Sequence, residues 1–317
     1  MPLIRISPIL ILTLGLVGGC QGPFASAKLP QPWTLPRSNP ESVPDTSRDF
    51  GDLRELNVAV IPDTTLLHGS DRVKEFDEYL EQSLGIPVVI QVTENYDQTL
   101  NLLVKQQVAM AYLGSFSYLQ ATIQNPTVRA IATHIHEANS RPWYTSVIIA
   151  NQAKGIQKLA DLRGKTFGFV DPLSTSGFLV PKVALQEKGL NPNTTFKTIE
   201  FLGSHNRAID ALIAGKVDGI AVDSAVYQSA ILAGDLLATD YPVLWESDPI
   251  PNPPIAVNGL VNSNLEYALK QSLITAPPRV AQISGDSILG YTLANNEDYD
   301  NIREVIRLHQ LALRNGS

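Results

Sequence analysis

Cysteine is almost absent from this chain: Cys20 is the only one among 317 residues. No disulfide can close within the chain, and no cysteine cluster can hold a metal. Positive charge is also scarce. Twenty-four Lys and Arg against 31 Asp and Glu leave a net charge of −7. That balance argues against nucleic acid, or a bare anionic membrane, as the main partner. It does not exclude a local anion pocket, because backbone N–H groups and hydroxyls bind anions without net positive charge. Past the first twenty residues no apolar run approaches membrane-spanning length. A P-loop, a GxSxG elbow and an HExxH pair are all missing, and the halves show no sequence repeat. No cofactor or metal is therefore expected. What remains is ordinary globular composition, 44% hydrophobic and 17% charged. The length suffices for a sizeable core and more than one lobe.

The N-terminus has the form of an export signal. "MPLIR" carries the charge of Arg5, and "ISPILILTLGLVGGC" is an apolar stretch ending in small residues and Cys20. "VGGC" resembles a bacterial lipobox. That implies cleavage after residue 19 and lipid attachment to Cys20; a plain secreted protein with a buried thiol is the alternative. Residues 20–54 lack an apolar period and are broken by Pro23, Pro30, Pro32, Pro36, Pro40 and Pro44. They read as a semi-extended tether.

From Leu56 onward the pattern predicts α/β architecture. "LNVAVIP", "IPVVIQVT", "VAMAYLG", "VRAIATH" and "WYTSVIIAN" read as strands. Helices are expected between them: "SDRVKEFDEYLEQSLG", "NYDQTLNLLVKQQ" with Asn95 as cap, and "SFSYLQATIQ". The second half repeats the rhythm. "IQKLADLRGK" reads as a helix, "TFGFVD" as a strand, and "TSGFLVPKVALQEKG" as a helix. Then come "FKTIEFLG", "SHNRAIDALIAGK", "VDGIAVD" and "SAVYQSAILAG" as strand, helix, strand and helix. This alternation predicts parallel strands with right-handed crossovers, in two lobes. The Pro-rich "SDPIPNPPIAVN" reads as a return connection, and helices are expected after it.

Candidate chemistry gathers at strand ends. "DPLSTSG" brings Ser174, Thr175, Ser176 and Gly177 to a predicted helix N-terminus, where several N–H groups lack partners. Hydroxyls, N–H groups and the helix dipole there can seat an anion, and Gly177 would allow close approach of a ligand. A simple N-cap explains the same residues. "FLGSH" and "GIAVDS" put His205 and Asp223 at two further strand ends. In open α/β sheets such ends face ligands. Each also has a plain reading as an end-of-helix residue.

"DPLSTSGFLVP" followed by "GSHNRAIDALIAGKVDGIAVDS" resembles the periplasmic phosphonate/phosphite/phosphate-binding proteins of ABC importers. "VAVIPD", "VAMAYLGSFSYLQA" and "WYTSVIIAN" look like the same family's first-lobe segments. The resemblance runs from about Leu56 to the C-terminus. It implies a two-lobe, hinged type II binding-protein fold, with lobe 1 from 55–148 plus 248–317 and lobe 2 from 149–247. Hinges are expected near Ile148–Ala150 and Val243–Glu246. It further implies that Ser174, Thr175 and Ser176 hold the oxyanion, that His205 and Asp223 close on it, and that Tyr118 reaches across from lobe 1. Thr64, Thr65 and Tyr144 are weaker candidates; Tyr118 also suits a half-buried helix position, and Tyr144 suits core or hinge packing. The implied partners are a permease with its ATPase subunits, and a membrane met only through the lipid anchor.

His205 is a departure within this resemblance. An importer of aminoalkylphosphonates needs an acid for the ammonium group, expected near that position. A histidine suits a small oxyanion better, as a donor. Ionised Asp223 accepts from a P–OH, which favours monoanionic phosphorus oxyacids over sulfate. Phosphite, methylphosphonate and phosphate are the expected ligands. The rivals are a Ser174–His205–Asp223 hydrolase, a metal fragment at His134, His136 and Glu137 (plainer as surface or cleft-lining histidines), another small ligand on the same fold, and a sensor-kinase input.

Overall fold

The computed structural model describes residues 49–62, 70–137, 140–278 and 288–315. Thr64, Thr65, Cys20, the export signal and most of the tether lie outside the described residues. Two sheets organise the rest. The first has the order β13-β4-β12-β3-β1-β2. Its strands are β1 (Leu56–Val60), β2 (Val88–Val92), β3 (Met110–Tyr112), β4 (Arg129–His136), β12 (Pro254–Val257) and β13 (Ile288–Leu293). Helices α1 (Ser70–Leu84), α2 (Tyr96–Val104) and α3 (Ser115–Gln124) connect its early strands.

The second sheet has the order β10-β6-β9-β7-β8. It contains β6 (Ser146–Ala150), β7 (Thr166–Phe169), β8 (Thr198–Phe201), β9 (Gly219–Asp223) and β10 (Val243–Glu246). Helices α4 (Val180–Glu187), α5 (Pro192–Thr195), α6 (His205–Ile213) and α7 (Ser224–Ala233) belong to this half. Helix α8 (Ser263–Ile274) and α9 (Asp300–Asn315) complete the first half. Helix α9 packs on α3 of the first half and on α4 of the second.

A small antiparallel ribbon joins the halves. β5 (Trp143–Tyr144) pairs with β11 (Ile250–Pro251). The chain thus crosses between the sheets at 143–145 and returns at 247–252. The expected hinges at Ile148–Ala150 and Val243–Glu246 fall instead inside β6 and β10, which pair with each other within the second sheet. The expected division at 148/149 likewise cuts β6. The run "WYTSVIIAN" is two strands with different partners, and nothing in its apolar pattern marks the break.

Three other expectations change. The sheets are mixed: β1, β2 and β3 run parallel, as do β7, β8 and β9, but β12, β13, β6 and β10 pair antiparallel. "IQKLADLRGK" makes only a single 3₁₀ turn at Leu159–Leu162. The Pro-rich return contributes β12, fully buried in the centre of the first sheet. Proline is tolerated because Pro254 opens the strand, where a missing N–H costs least. Asn252 and Asn258 flank it, nearly or fully inaccessible. The Asn258 amide donates to Leu103 O at 2.8 Å and Val108 O at 2.7 Å. The Asn252 amide donates to His134 O at 2.9 Å. Buried carbonyls at the edges of an irregular segment are thereby satisfied.

Candidate functional site

The stretch 171–181 folds as it does because of Pro181. A proline has no N–H to give the carbonyl four residues back. The Gly177 carbonyl therefore accepts from the Val170 N–H at 3.0 Å. The helix opens as a π-type turn over Thr175–Leu179, with Leu179 N donating to Ser174 O at 3.0 Å. The Ser176 carbonyl takes the Ser146 hydroxyl at 2.7 Å. The seat is thus tied to β6 and to the end of β7. Ser174 caps it, its Oγ accepting from Gly177 N at 3.0 Å. The Thr175 and Ser176 N–H groups head the turn, where no intrahelical acceptor precedes them. Ser176 Oγ is buried and without a hydrogen-bond partner.

Gly177 has a different purpose from the expected one. A Cβ there would stand 2.4 Å from Val170 Cγ2 and 2.8 Å from Ser174 Oγ. Its bareness lets the helix start press on the strand end, and makes no room for a ligand.

His205 is the first residue of α6, behind the cap Ser204. Its Nδ1 accepts from the Asp223 N–H at 3.1 Å. A backbone amide can only donate, so Nδ1 is unprotonated and the proton sits on Nε2. Burial pushes the imidazole pKa down to about 4, which keeps His205 a neutral donor near neutral pH. Asp223 ends β9 and caps α7, its Oδ1 accepting from Ala225 N at 2.6 Å. Both residues are therefore helix-end residues and cleft residues at once; the two readings were never exclusive.

One cleft between the halves collects four of these groups, with Ser176 and Gly177 outside its lining. Ser174, Thr175, His205 and Asp223 line it from the second half, and Tyr144 from the joining ribbon. The first half supplies Tyr96, Tyr112, Gly114 and His134, with the end of β1 from Val60 to Pro62. Among the described lining residues there is no lysine or arginine, and Asp223 is the one carboxylate. Five helix beginnings meet there instead: α2 at Tyr96, α3 after Gly114, the π turn at Thr175, α6 at His205 and α7 after Asp223. Each brings the positive end of a helix dipole and N–H groups lacking intrahelical acceptors. Such a set binds a compact anion through hydroxyls, amides, phenols and imidazole.

Tyr144 is buried and its phenol is held well above its usual pKa, by desolvation first and then by the charge of Asp223. Ser176 and Thr175 hydroxyls act on it in the opposite sense. It remains a neutral donor. Tyr118 does not reach the cleft. It is fully buried on α3, its hydroxyl donating to Asn296 Oδ1 and accepting from Ala130 N at 3.0 Å. The helix was placed correctly, but its Tyr118 face packs inward against Tyr299.

Tyr96 and Tyr112 were missed as cleft residues. Tyr96 follows β2 and Tyr112 ends β3, so the strand-end rule that found His205 would have found both. His134, weighed as part of a metal fragment or as a surface or cleft-lining histidine, lines the cleft. It is buried, with Nδ1 3.3 Å from the Tyr112 hydroxyl, and burial lowers its pKa to about 3. His136 lines a separate pocket beside Trp143. Among the described residues no group of three or more His, Cys, Asp or Glu is placed to hold a metal.

Comparison with known proteins agrees with this geometry. A family profile described as "ABC transporter, phosphonate, periplasmic substrate-binding protein" matches residues 58–299. The phosphate-import protein PhnD of Mycolicibacterium smegmatis is 26% identical over 83% of this chain and 88% of its own length. The phosphonates-binding periplasmic protein of Escherichia coli is 29% identical over 64% of this chain and 60% of its own. Among solved structures, PhnD1 of Prochlorococcus marinus in complex with methylphosphonate superposes with a TM-score of 0.71 at 21% identity. That match covers 80% of this chain and 97% of the other.

Proposed function

The chain belongs to the family of periplasmic substrate-binding proteins of phosphonate ABC transporters, and from that premise we propose that it captures a small phosphorus oxyanion between its halves. The ligand is phosphite, a phosphonate or phosphate, and closure over it makes the form a permease with its ATPase subunits receives. The observation that carries this reading is the cleft of five helix beginnings with no lysine or arginine among its described lining residues. Ser174, Thr175 and Ser176 hold the oxyanion through hydroxyls and N–H groups. His205 adds its Nε2–H. Asp223 accepts from a P–OH, which selects the monoanion over sulfate. Tyr144, Tyr96 and Tyr112 close the sides. This is binding and release, without a chemical step.

The lobes divide at the ribbon, so that 55–145 with 248–317 forms one and 146–247 the other. Export through residues 1–19, a lipid on Cys20 and the tether of 20–54 hold the protein to a membrane, facing the periplasm or cell exterior. Among the described residues no helix is long and apolar enough to cross a membrane.

A thermal-shift screen of phosphorus, sulfur and nitrogen oxyanions, followed by titration calorimetry, tests the ligand. Phosphite, methylphosphonate or phosphate raises Tm by mass action. Ser174→Ala combined with Thr175→Ala abolishes that rise while unfolding stays cooperative. Tighter binding of 2-aminoethylphosphonate or sulfate would refute the assignment.

A further inference from the structure

A ligand draws two halves together only if each half offers it a bond. The second half has its seat and His205. On the first half, the register of the sheet brings two rings together. Tyr112 pairs with Ile255 of β12, and Ile255 pairs with Ala132 of β4. Side chains alternate along a strand, so His134, two residues beyond Ala132, shares a face with Tyr112. β12 stands between their strands but opens only at Pro254, so the rings meet over its start. Their centroids are 6.0 Å apart, and the Tyr112 hydroxyl is 3.3 Å from His134 Nδ1. The backbone beneath is held too. The Asn252 amide donates to His134 O at 2.9 Å, and Thr133 Oγ1 donates to Asn252 O at 3.0 Å. Both rings line the cleft.

A buried core histidine ordinarily has its polar atoms paired. His134 is 3% exposed, yet among the described residues Nδ1 is the one ring nitrogen with a hydrogen bond. Nε2 is left over, on a side chain that forms part of the cleft wall. A neutral imidazole donates from one nitrogen and accepts at the other, and the bond made at one settles the proton on the other. When the Tyr112 hydroxyl donates to Nδ1, the hydrogen stands on Nε2.

We propose that His134 is the first half's donor to the bound anion, giving its Nε2–H to one oxygen, and that Tyr112 is the positioning residue that fixes this tautomer. This rests on the cleft being the anion site. The anion then lies between two neutral imidazoles, one from each half. In His205 the Asp223 N–H occupies Nδ1, and in His134 the Tyr112 hydroxyl does. Burial keeps His134 neutral, its pKa lowered to about 3. Bonds from such donors to an anion are charge-assisted, and the anion itself becomes the bridge that holds the halves closed.

The test replaces one ring nitrogen at a time. In His134→Gln the amide reaches the place of Nε2 and can still donate. In His134→Asn it reaches only the place of Nδ1, and His134→Phe keeps a ring without a donor. Titration calorimetry with phosphite, methylphosphonate and phosphate is expected to show His134→Asn and His134→Phe binding about 10- to 100-fold more weakly, the loss of one hydrogen bond to a charged group. His134→Gln is expected to stay within about fivefold of the wild type. Equal losses in the Gln and Asn variants overturn the assignment to Nε2. A second readout needs no variant to fold. Nitrogen NMR of the wild-type rings should show His134 with Nδ1 unprotonated and Nε2 protonated, and its Nε2–H signal should move as the anion is added. A hydrogen on Nδ1, or an Nε2–H signal indifferent to the anion, overturns the proposal. In Tyr112→Phe the hydrogen should spread over both nitrogens; a ring that keeps it on Nε2 overturns the role of Tyr112. If the wild-type chain binds none of the three anions, the proposed function fails and this donor with it. If the wild type binds and His134→Phe binds equally well, the donor alone fails.

Discussion

At Gly177 a missing side chain decides how a helix meets a strand. Adding one methyl there drives a Cβ to 2.4 Å from Val170 Cγ2, against a residue that is itself fully buried. Overpacking of this kind costs about 1–3 kcal/mol. Gly177→Ala is therefore expected to lower stability in urea unfolding by that amount. It should also weaken anion binding, since the Ser174–Gly177 cap shifts with it. A variant of wild-type stability would show that the contact relaxes freely. Histidine behaves as the complementary case: at 205 the donor is fixed by what the other nitrogen accepts. Residue type alone left cap and ligand group open for Ser174 and Asp223. The hydrogen bonds show that one residue does the capping while the rest of its surface faces the cleft.

Elements were legible where local pattern and burial agree. Helix α3 was placed residue for residue, and Asn95 caps α2 by accepting from Gln98 N at 2.8 Å. What the pattern does not carry is the direction a helix face takes. Tyr118 on α3 points into the core, not across the cleft. Tyr118→Phe is accordingly expected to leave anion affinity unchanged. It should destabilise by about 1 kcal/mol, because the Ala130 N–H and Asn296 Oδ1 lose the phenol but keep their own bond at 3.3 Å. Calorimetry on the same sample checks both, and a large affinity loss would return Tyr118 to the site. Strands β12 and β13 were missed for a different reason. β12 opens on a proline in a Pro-rich stretch. β13 has no turn residues pairing it to its neighbour β4, more than 150 residues earlier. Both join their sheet through contacts that sequence distance hides.

For the whole molecule, buried neutral histidines make stability depend on acid. His134 and His205 have pKa values lowered to about 3 and about 4 from an ordinary 6.5, and His136 is lowered too, all through burial. The unfolded chain takes up protons at these sites below pH 6.5, where the folded chain does not. Their stabilisation is complete above 6.5 and is lost as the pH falls through the window toward 4 and then 3. For the fully buried His134 the slope approaches about 1.4 kcal/mol per pH unit. Scanning calorimetry from pH 7.5 to 5 should show Tm falling, less steeply in His134→Gln. A flat profile would mean these rings are protonated when folded. The sequence by itself determined the α/β class, most strands and helices, and the strand-end clustering of hydroxyls, His205 and Asp223, because apolar period and capping chemistry are local. Only the tertiary structure decided where the chain crosses between halves, which side of α3 meets the core, and that Thr175 Oγ1 accepts from the Phe116 N–H of the other half. Those depend on which surfaces are brought together, and no local pattern records that.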